Sequence, residues 1–250
     1  MTATLLSSSS FGALIAGDVA IVGFQASGVT TDSVSFVALV DLAPGTVLYF
    51  TDNGWTGSAF RGVLATDGDG NENLMRFTAA NTIVAGTIIG SRTSSADYAW
   101  ALSGLVGPGT SAYAQLSLSS TGEQVTILES TNPSNPIFSG FTALYNFDNT
   151  NAYETATTSS TGSLAPGLVQ GTSAVLLTSA ANSALFNLNT LASGTRAEWL
   201  AAIGNAANWT TGSGTADAGS GFIVVVPAPG ALALLACAGM AGSRRRRSAR

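Results

Sequence analysis

Histidine and lysine are absent from this chain, and cysteine occurs once, as Cys237. Without histidine there is no Ser–His–Asp triad, no His-ligated haem and no His-bearing zinc centre. One cysteine makes neither a thiolate zinc site nor an intrachain disulfide. The many serines and threonines therefore lack a histidine partner, and lysine is not there to replace it as a base. Charge is also scarce: 9% of residues are charged, against about 25% in ordinary soluble domains. A sequence pI near 4.5 argues against nucleic acid as a partner. Residues 104–109 (GLVGPG) lack the Lys and Ser/Thr of a phosphate-binding loop. Missing too is a proline-free apolar run of about 20 residues, the length of a membrane-spanning helix.

What is present begins with size. The 250 residues suffice for one sandwich-sized domain, burying about 70% of its unfolded surface without a disulfide or metal. Charge is unevenly placed. Of 9 basic residues, five fall in the last seven positions, and the other four are Arg61, Arg76, Arg92 and Arg196. All 14 acidic residues precede Pro227, so the body carries a net charge of −10 and the tail is basic.

The tail, residues 222–250, reads FIVVVPAPGALALLACAGMAGSRRRRSAR. Its unbroken apolar stretch, 230–241, covers 12 residues, about 18 Å as a helix, which is short for a bilayer core of about 30 Å. Pro229 suits the first helical turn, where a missing N–H costs nothing. Arg244, Arg245, Arg246 and Arg247 would hold the C-terminus on the cytoplasmic side and leave the body across the membrane. Cys237 lies inside the apolar stretch and reads as packing or lipid contact.

A Pro-x-Pro motif, a short apolar helix and a terminal arginine cluster together resemble a PEP-CTERM sorting signal. The motif here is Val226, Pro227, Ala228 and Pro229, with Ala228 where the family's name has Glu. The resemblance implies a bacterial cell-envelope protein, engaged with the inner membrane during transit and cleaved there by an exosortase-type protease. It then implies a cell-surface or extracellular location, with exopolysaccharide as a partner. A secreted chain also needs an export signal. Residues 1–16 hold no basic group and only a six-residue apolar run at 11–16, so they read as a weak signal or, the favoured reading, as the remainder of a signal whose true start lies upstream of Met1.

Residues 17–209 read as one mainly β domain. Strands are expected at 18–26, 34–42, 47–52, 74–78, 82–90, 112–118, 124–129, 138–147 and 173–178, rich in β-branched and aromatic residues. Gly, Ser and Asn lie between them. Tight connections such as Ala43-Pro44-Gly45-Thr46 argue for a single antiparallel β-sandwich. Thr195 with Glu198 fits a capping box, and Trp199, Leu200 and Ile203 supply an apolar stripe, so one short C-terminal helix is expected to end at 202–205. Residues 210–221 (TTGSGTADAGSG) read as a flexible linker before the tail's membrane-engaging apolar helix. The body resembles a bacterial extracellular lamin-tail-like module. The resemblance rests on GDVAIVGF at 17–24, FVALVD at 36–41, FTDNGW at 50–55, LSLSSTGEQV at 116–125 and NWT at 208–210. It implies a sandwich and no established chemistry.

Candidate sites follow from residue chemistry. Asp67, Asp69, Asn71 and Asn73 place oxygen ligands at alternate positions of a Gly-rich loop, the opening of a Ca²⁺ loop. Glu72 and Thr78 stand where an EF-hand has its turn glycine and bidentate Glu, and a solvated hairpin loop would read the same. No cofactor other than Ca²⁺ is suggested. Asp52-Asn53-Gly54-Trp55 reads first as a type I′ turn with Trp55 packed beneath it, and second as a sugar platform. Trp100, Trp199 and Trp209 read as core or rim. Catalysis without histidine would need two carboxylates at a set separation, as in a glycosidase. The expectation is a non-enzymatic envelope or matrix protein, with a Ca²⁺-dependent carbohydrate-binding or adhesion module as the alternative and a carboxylate glycosidase behind both.

Overall fold

The apolar runs become the strands of two facing sheets in the computed structural model, which describes residues 12–26, 32–61, 73–102, 115–154, 158, 160–212 and 221–225. The strands are β1 (Val19–Gln25), β2 (Ser33–Ala38), β3 (Val47–Thr51), β4 (Leu74–Ala79), β5 (Ile88–Gly90) and β6 (Tyr98–Ala101). They continue with β7 (Gln124–Ser130), β8 (Phe141–Asp148), β9 (Ala174–Leu176), β10 (Ser183–Phe186) and β11 (Trp209–Gly212). One sheet has the order β11-β10-β1-β2-β5 and the other β6-β4-β3-β7-β8-β9. Described strand pairs are antiparallel except one, β9 beside β8, which is parallel. The protein is thus a mainly β two-sheet sandwich with one short helix, α1 (Arg196–Ile203).

Both faces of the six-stranded sheet are covered, which is why β3 and β7 lack the clean alternation of a half-exposed strand. Leu48, Phe50, Phe77, Val125, Ile127 and Phe147 enter the core between the sheets. Tyr49, Leu74, Leu128 and Ala143 join a second cluster with Phe60, Ile137, Ala165 and Leu168. A bulge makes the two faces compatible on β8. Leu128 pairs with Ala143 and Ile127 with Tyr145, so Leu144 is an extra residue. Ala143 therefore joins the second cluster, while Tyr145 and Phe147 turn toward the first. Val22 plays the same part in β1, between the Ile21–Phe36 and Gly23–Ser35 pairs.

Aromatic rings fill the sandwich. Phe36 lies 5.2 Å from both Phe50 and Phe77, and Trp100 lies 5.1 Å from Phe50 and 5.3 Å from Phe77. A second group links Phe24, Phe147, Trp209, Phe186 and Trp199, neighbour to neighbour. Such ring pairs add about 0.5–1.5 kcal/mol each beyond area burial.

Several expected elements are corrected. Of the expected strand 112–118, residues 112–114 lie outside the described residues, and 115–118 form no strand but a segment held by side chains. Of 82–90 only Ile88–Gly90 is a strand, with Ile83 making a single bridge to Leu42. Phe138 is exposed outside β8. β6, β10 and β11 were not expected. β11 takes residues 210–212 out of the expected linker and pairs them with β10.

The capping box forms as its sequence requires: Glu198 N donates to Thr195 Oγ1 at 3.3 Å, and Thr195 N donates to Glu198 Oε2 at 2.7 Å. Arg196, the first residue of α1, donates from Nε to Gly17 O at 2.9 Å and from Nη2 to Ala16 O at 2.6 Å. Its Nε also lies 2.9 Å from Asp18 Oδ1. Gly17 has φ +84°, and a Cβ there would meet Leu200 Cδ1 at 2.6 Å. Gly17→Ala combines left-handed strain with overpacking, costing about 2 kcal/mol. The expected thermal shift is a drop of about 4–8 °C by calorimetry; an unchanged melting temperature would contradict it.

Candidate functional site

The antiparallel registers bring the ends of β1, β3, β6 and β8 and the starts of β2, β4, β7 and β10 to one end of the sandwich. Four acidic residues sit there at strand ends: Asp32, Asp52, Glu123 and Asp148. Asp52 follows β3 and is fully buried. Its Oδ1 accepts from Asn73 N and its Oδ2 from Ser117 N, each at 2.6 Å. Asp32 Oδ2 accepts from Leu118 N at 2.7 Å, and Gln115 Nε2 donates to Asp32 O. The extended segment 115–118 is thereby stitched to the start of β2 in one sheet and to the β3–β4 end of the other.

Glu123 binds within its own turn, its Oε2 accepting from Ser119 N at 3.2 Å and its Oε1 from Gln124 N at 2.9 Å. Glu123 N in turn donates to Asn149 Oδ1 at 2.6 Å. Asp148 Oδ1 accepts from Thr150 N at 2.7 Å and Thr150 Oγ1 at 2.6 Å, while its Oδ2, though buried, has no hydrogen-bond partner among the described residues. Carboxylates at this end pair backbone N–H groups that loops would otherwise bury unsatisfied.

Burial pushes Asp52 up to about 7 against the opposing pull of Ser117 N and Asn73 N, with the nearby Asp32 charge adding to the rise. Burial likewise pushes Asp148 up to about 6, opposed by its bonds from Thr150 and helped by the charge of Glu154. Both values fall in the range of a general acid, yet neither side chain is exposed. Their shifted protons act on the fold.

A cavity of about 230 Å³ opens at the same end, lined by Asp32, Met75, Ser91, Arg92, Leu102 and Gln115. It combines the apolar Met75 and Leu102 with acidic, basic and amide groups, the mixed lining of a small polar ligand's site. The candidate Ca²⁺ loop falls in the sequence between β3 and β4. Asp67, Asp69 and Asn71 lie outside the described residues. Asn73 lies within them and opens β4 as a structural residue: its N binds Asp52, and its Nδ2 donates to Gln115 O at 2.7 Å. Its carbonyl accepts from Thr51 Oγ1 and Asn53 Nδ2. Its Oδ1 takes no part in these bonds. Among the described residues no three acidic or cysteine side chains converge as a ligand set.

Trp55 packs as the structural reading of its motif required. It meets Phe60 at 5.2 Å and Phe141 at 5.7 Å, both edge-on. The type I′ turn is corrected, because Gly54 lacks the positive φ that such a turn needs. Glycine is required there by proximity instead: a Cβ would meet Thr161 O at 2.5 Å. Gln124 lies beneath, its amide oxygen turned to accept from Gly54 N and Gly162 N at 3.3 Å each. Trp199 and Trp209 are buried, and Trp100 packs against the inter-sheet core.

Val226, Pro227, Ala228, Pro229 and Arg244, Arg245, Arg246 and Arg247 lie outside the described residues. No helix among the described residues is long and apolar enough to cross a membrane. The chain just before the motif is described, and it is bound to the body. Phe222 stacks on Trp199 with ring centres 3.8 Å apart and planes 26° from parallel. Residues 222–225 were expected to belong to the tail; they are packed on the sandwich. No protein-family model, curated protein or solved structure matches the chain.

The raised Asp148 gives a signed pH dependence. Its folded value near 6 exceeds the usual 3.8, so the unfolded chain releases this proton first as pH rises. Its contribution is full below about pH 4 and declines up to about pH 6, on the order of 2–3 kcal/mol. Asp148→Asn keeps an oxygen for Thr150 but cannot ionise. Urea unfolding between pH 4 and 7 is expected to show a shallower loss of stability in the variant than in the parent; parallel curves would contradict the assignment.

Proposed function

We propose that this protein is a non-enzymatic secreted component of the cell envelope or extracellular matrix, delivered by its C-terminal signal. The observation that carries the reading is the order of the tail after an acidic body: Pro227 and Pro229, then 12 apolar residues, then four consecutive arginines. The apolar segment engages the inner membrane and the arginines set its direction. The Pro-x-Pro stretch offers an exosortase-type protease an extended backbone, since proline holds the residue before it out of the helical region. The body, low in charge and rich in Ser, Thr, Asn and Gly, presents hydrogen-bonding groups suited to hydrated exopolysaccharide. Mass spectrometry of terminal peptides from fractionated cells tests this. Loss of everything beyond the Pro227–Pro229 region, with the body at the surface or outside, is expected; an intact arginine terminus in the membrane fraction overturns it.

A second reading has its own support. The cavity's mixed lining, with Asp32, Arg92 and Gln115, and the alternating oxygen ligands of Asp67, Asp69, Asn71 and Asn73 in the sequence suit a Ca²⁺-dependent carbohydrate-binding or adhesion module. Ca²⁺ at 100 times its Kd would add about 2.7 kcal/mol, raising the melting temperature by about 5–10 °C over an EDTA control. Coincident melts would remove the calcium.

A further inference from the structure

We propose that residues 221–225 form a strap whose docking on the body shields the neighbouring Pro-x-Pro stretch, so that the fold of the body sets how readily the tail is cleaved. The proposal rests on the sorting reading only for the identity of the protease in the cell.

The strap is bound along its length. Phe222 N donates to Gly86 O at 3.1 Å, Gly194 N to Ile223 O at 3.3 Å, and Val225 N to Gly194 O at 2.7 Å. The Trp199 indole donates from Nε1 to the same Ile223 O at 3.0 Å, and Val224 bridges Gly194 in parallel. Side chains alternate as in a strand: Phe222 and Val224 pack against the core, while Ile223 and Val225 are exposed. Trp199 is fully buried with Phe222 stacked on it, so lifting the strap uncovers a core tryptophan.

A protease groove binds extended substrate through main-chain hydrogen bonds on both sides of the scissile bond. Between Phe222 and Val225, three of those groups, Phe222 N, Ile223 O and Val225 N, are already engaged by the body. One residue, Val226, separates the last bonded amide from Pro227, and neither proline has an N–H to offer in exchange. The groove and the body therefore compete for the same backbone, and the strap must peel before the motif can be fully seated. Local openings of this kind are set by how few contacts a segment makes.

The test uses the full chain in detergent micelles with proteinase K as the probe, the cleavage positions being read by mass spectrometry. The wild type is expected to resist cleavage across residues 221–226. Phe222→Ala is expected to be cut there at least ten-fold faster, with the body's melting temperature shifted by only a few degrees; Val224→Ser should act in the same direction and serves if Phe222→Ala folds poorly. Hydrogen exchange should show the Val225 amide protected in the wild type. Equal cleavage rates in wild type and variants, or a Val225 amide exchanging like that of an unstructured peptide, would overturn the strap. In cells, Phe222→Ala should be processed faster than wild type. Tails left intact in both, with the difference in micelles retained, would sink the sorting reading and leave the strap standing.

Discussion

A sandwich whose end is closed by loops must pair every backbone N–H that those loops bury, and here one carboxylate does most of that at the β3–β4 end. Asp52 receives the N–H groups of Asn73 and Ser117 on its two oxygens. Asn73 then holds Gln115 O, and Gln115 reaches Asp32 on the other sheet. The two sheets are thus tied at this end by polar bonds, as they are at the entry to β1, where Gly17 N donates to Leu144 O at 2.7 Å; between these ends rings and aliphatic side chains fill the core. Removing Asp52 would take this acceptor from two backbone donors, Asn73 N and Ser117 N. A neutral amide could replace only one of the two acceptors.

This explains how a chain so poor in charge spends it. Asp52, Glu123 and Asp148 are buried, and the first two have both carboxylate oxygens bonded to backbone N–H groups. Burying a carboxylate is costly, and the raised proton affinities of Asp52 and Asp148 are the trace of that cost. Two groups in the acid–base range would invite a catalytic reading if they stood in an open cleft. Their burial makes a structural reading sufficient, and the neighbouring cavity draws its polarity from Asp32, Arg92 and Gln115 instead.

The parts that sequence pattern could reach were those with a local cause. The capping box needs only Thr195 and Glu198 at the right spacing, and it forms. β1, β3, β7 and β8 are rich in β-branched and aromatic residues, and they pair. β6, β10 and β11 are four-residue strands defined by their neighbours: Trp209 pairs with Phe186 and Tyr98 with Ala79, partners distant in sequence. The polar end was hidden for a related reason. Asp and Asn between apolar runs read as solvated turns, and nothing local reveals that Asp52 meets Ser117 or that Asn73 meets Gln115. Gly54 shows the same limit, since its requirement comes from Thr161 and not from the Asn-Gly pair.

The boundary between body and tail is where local pattern and long-range packing diverge most. Residues 210–221 have the composition of a linker, and a linker would make the tail independent of the fold. Trp209 and its strand remove the first residues of that segment, and the stacking of Phe222 on Trp199 returns the chain to the body before Val226. Trp199 is held by α1, whose first residue, Arg196, clamps Ala16, Gly17 and Asp18 at the start of β1. The chain leading into the tail therefore leans on a helix that is itself fixed to the first strand. Loosening that entry turn would reach residues 221–225 through α1 and Trp199. Residues 221–225 and the packed sandwich thus share one continuous set of contacts, running from the first strand through α1 and Trp199 to Phe222.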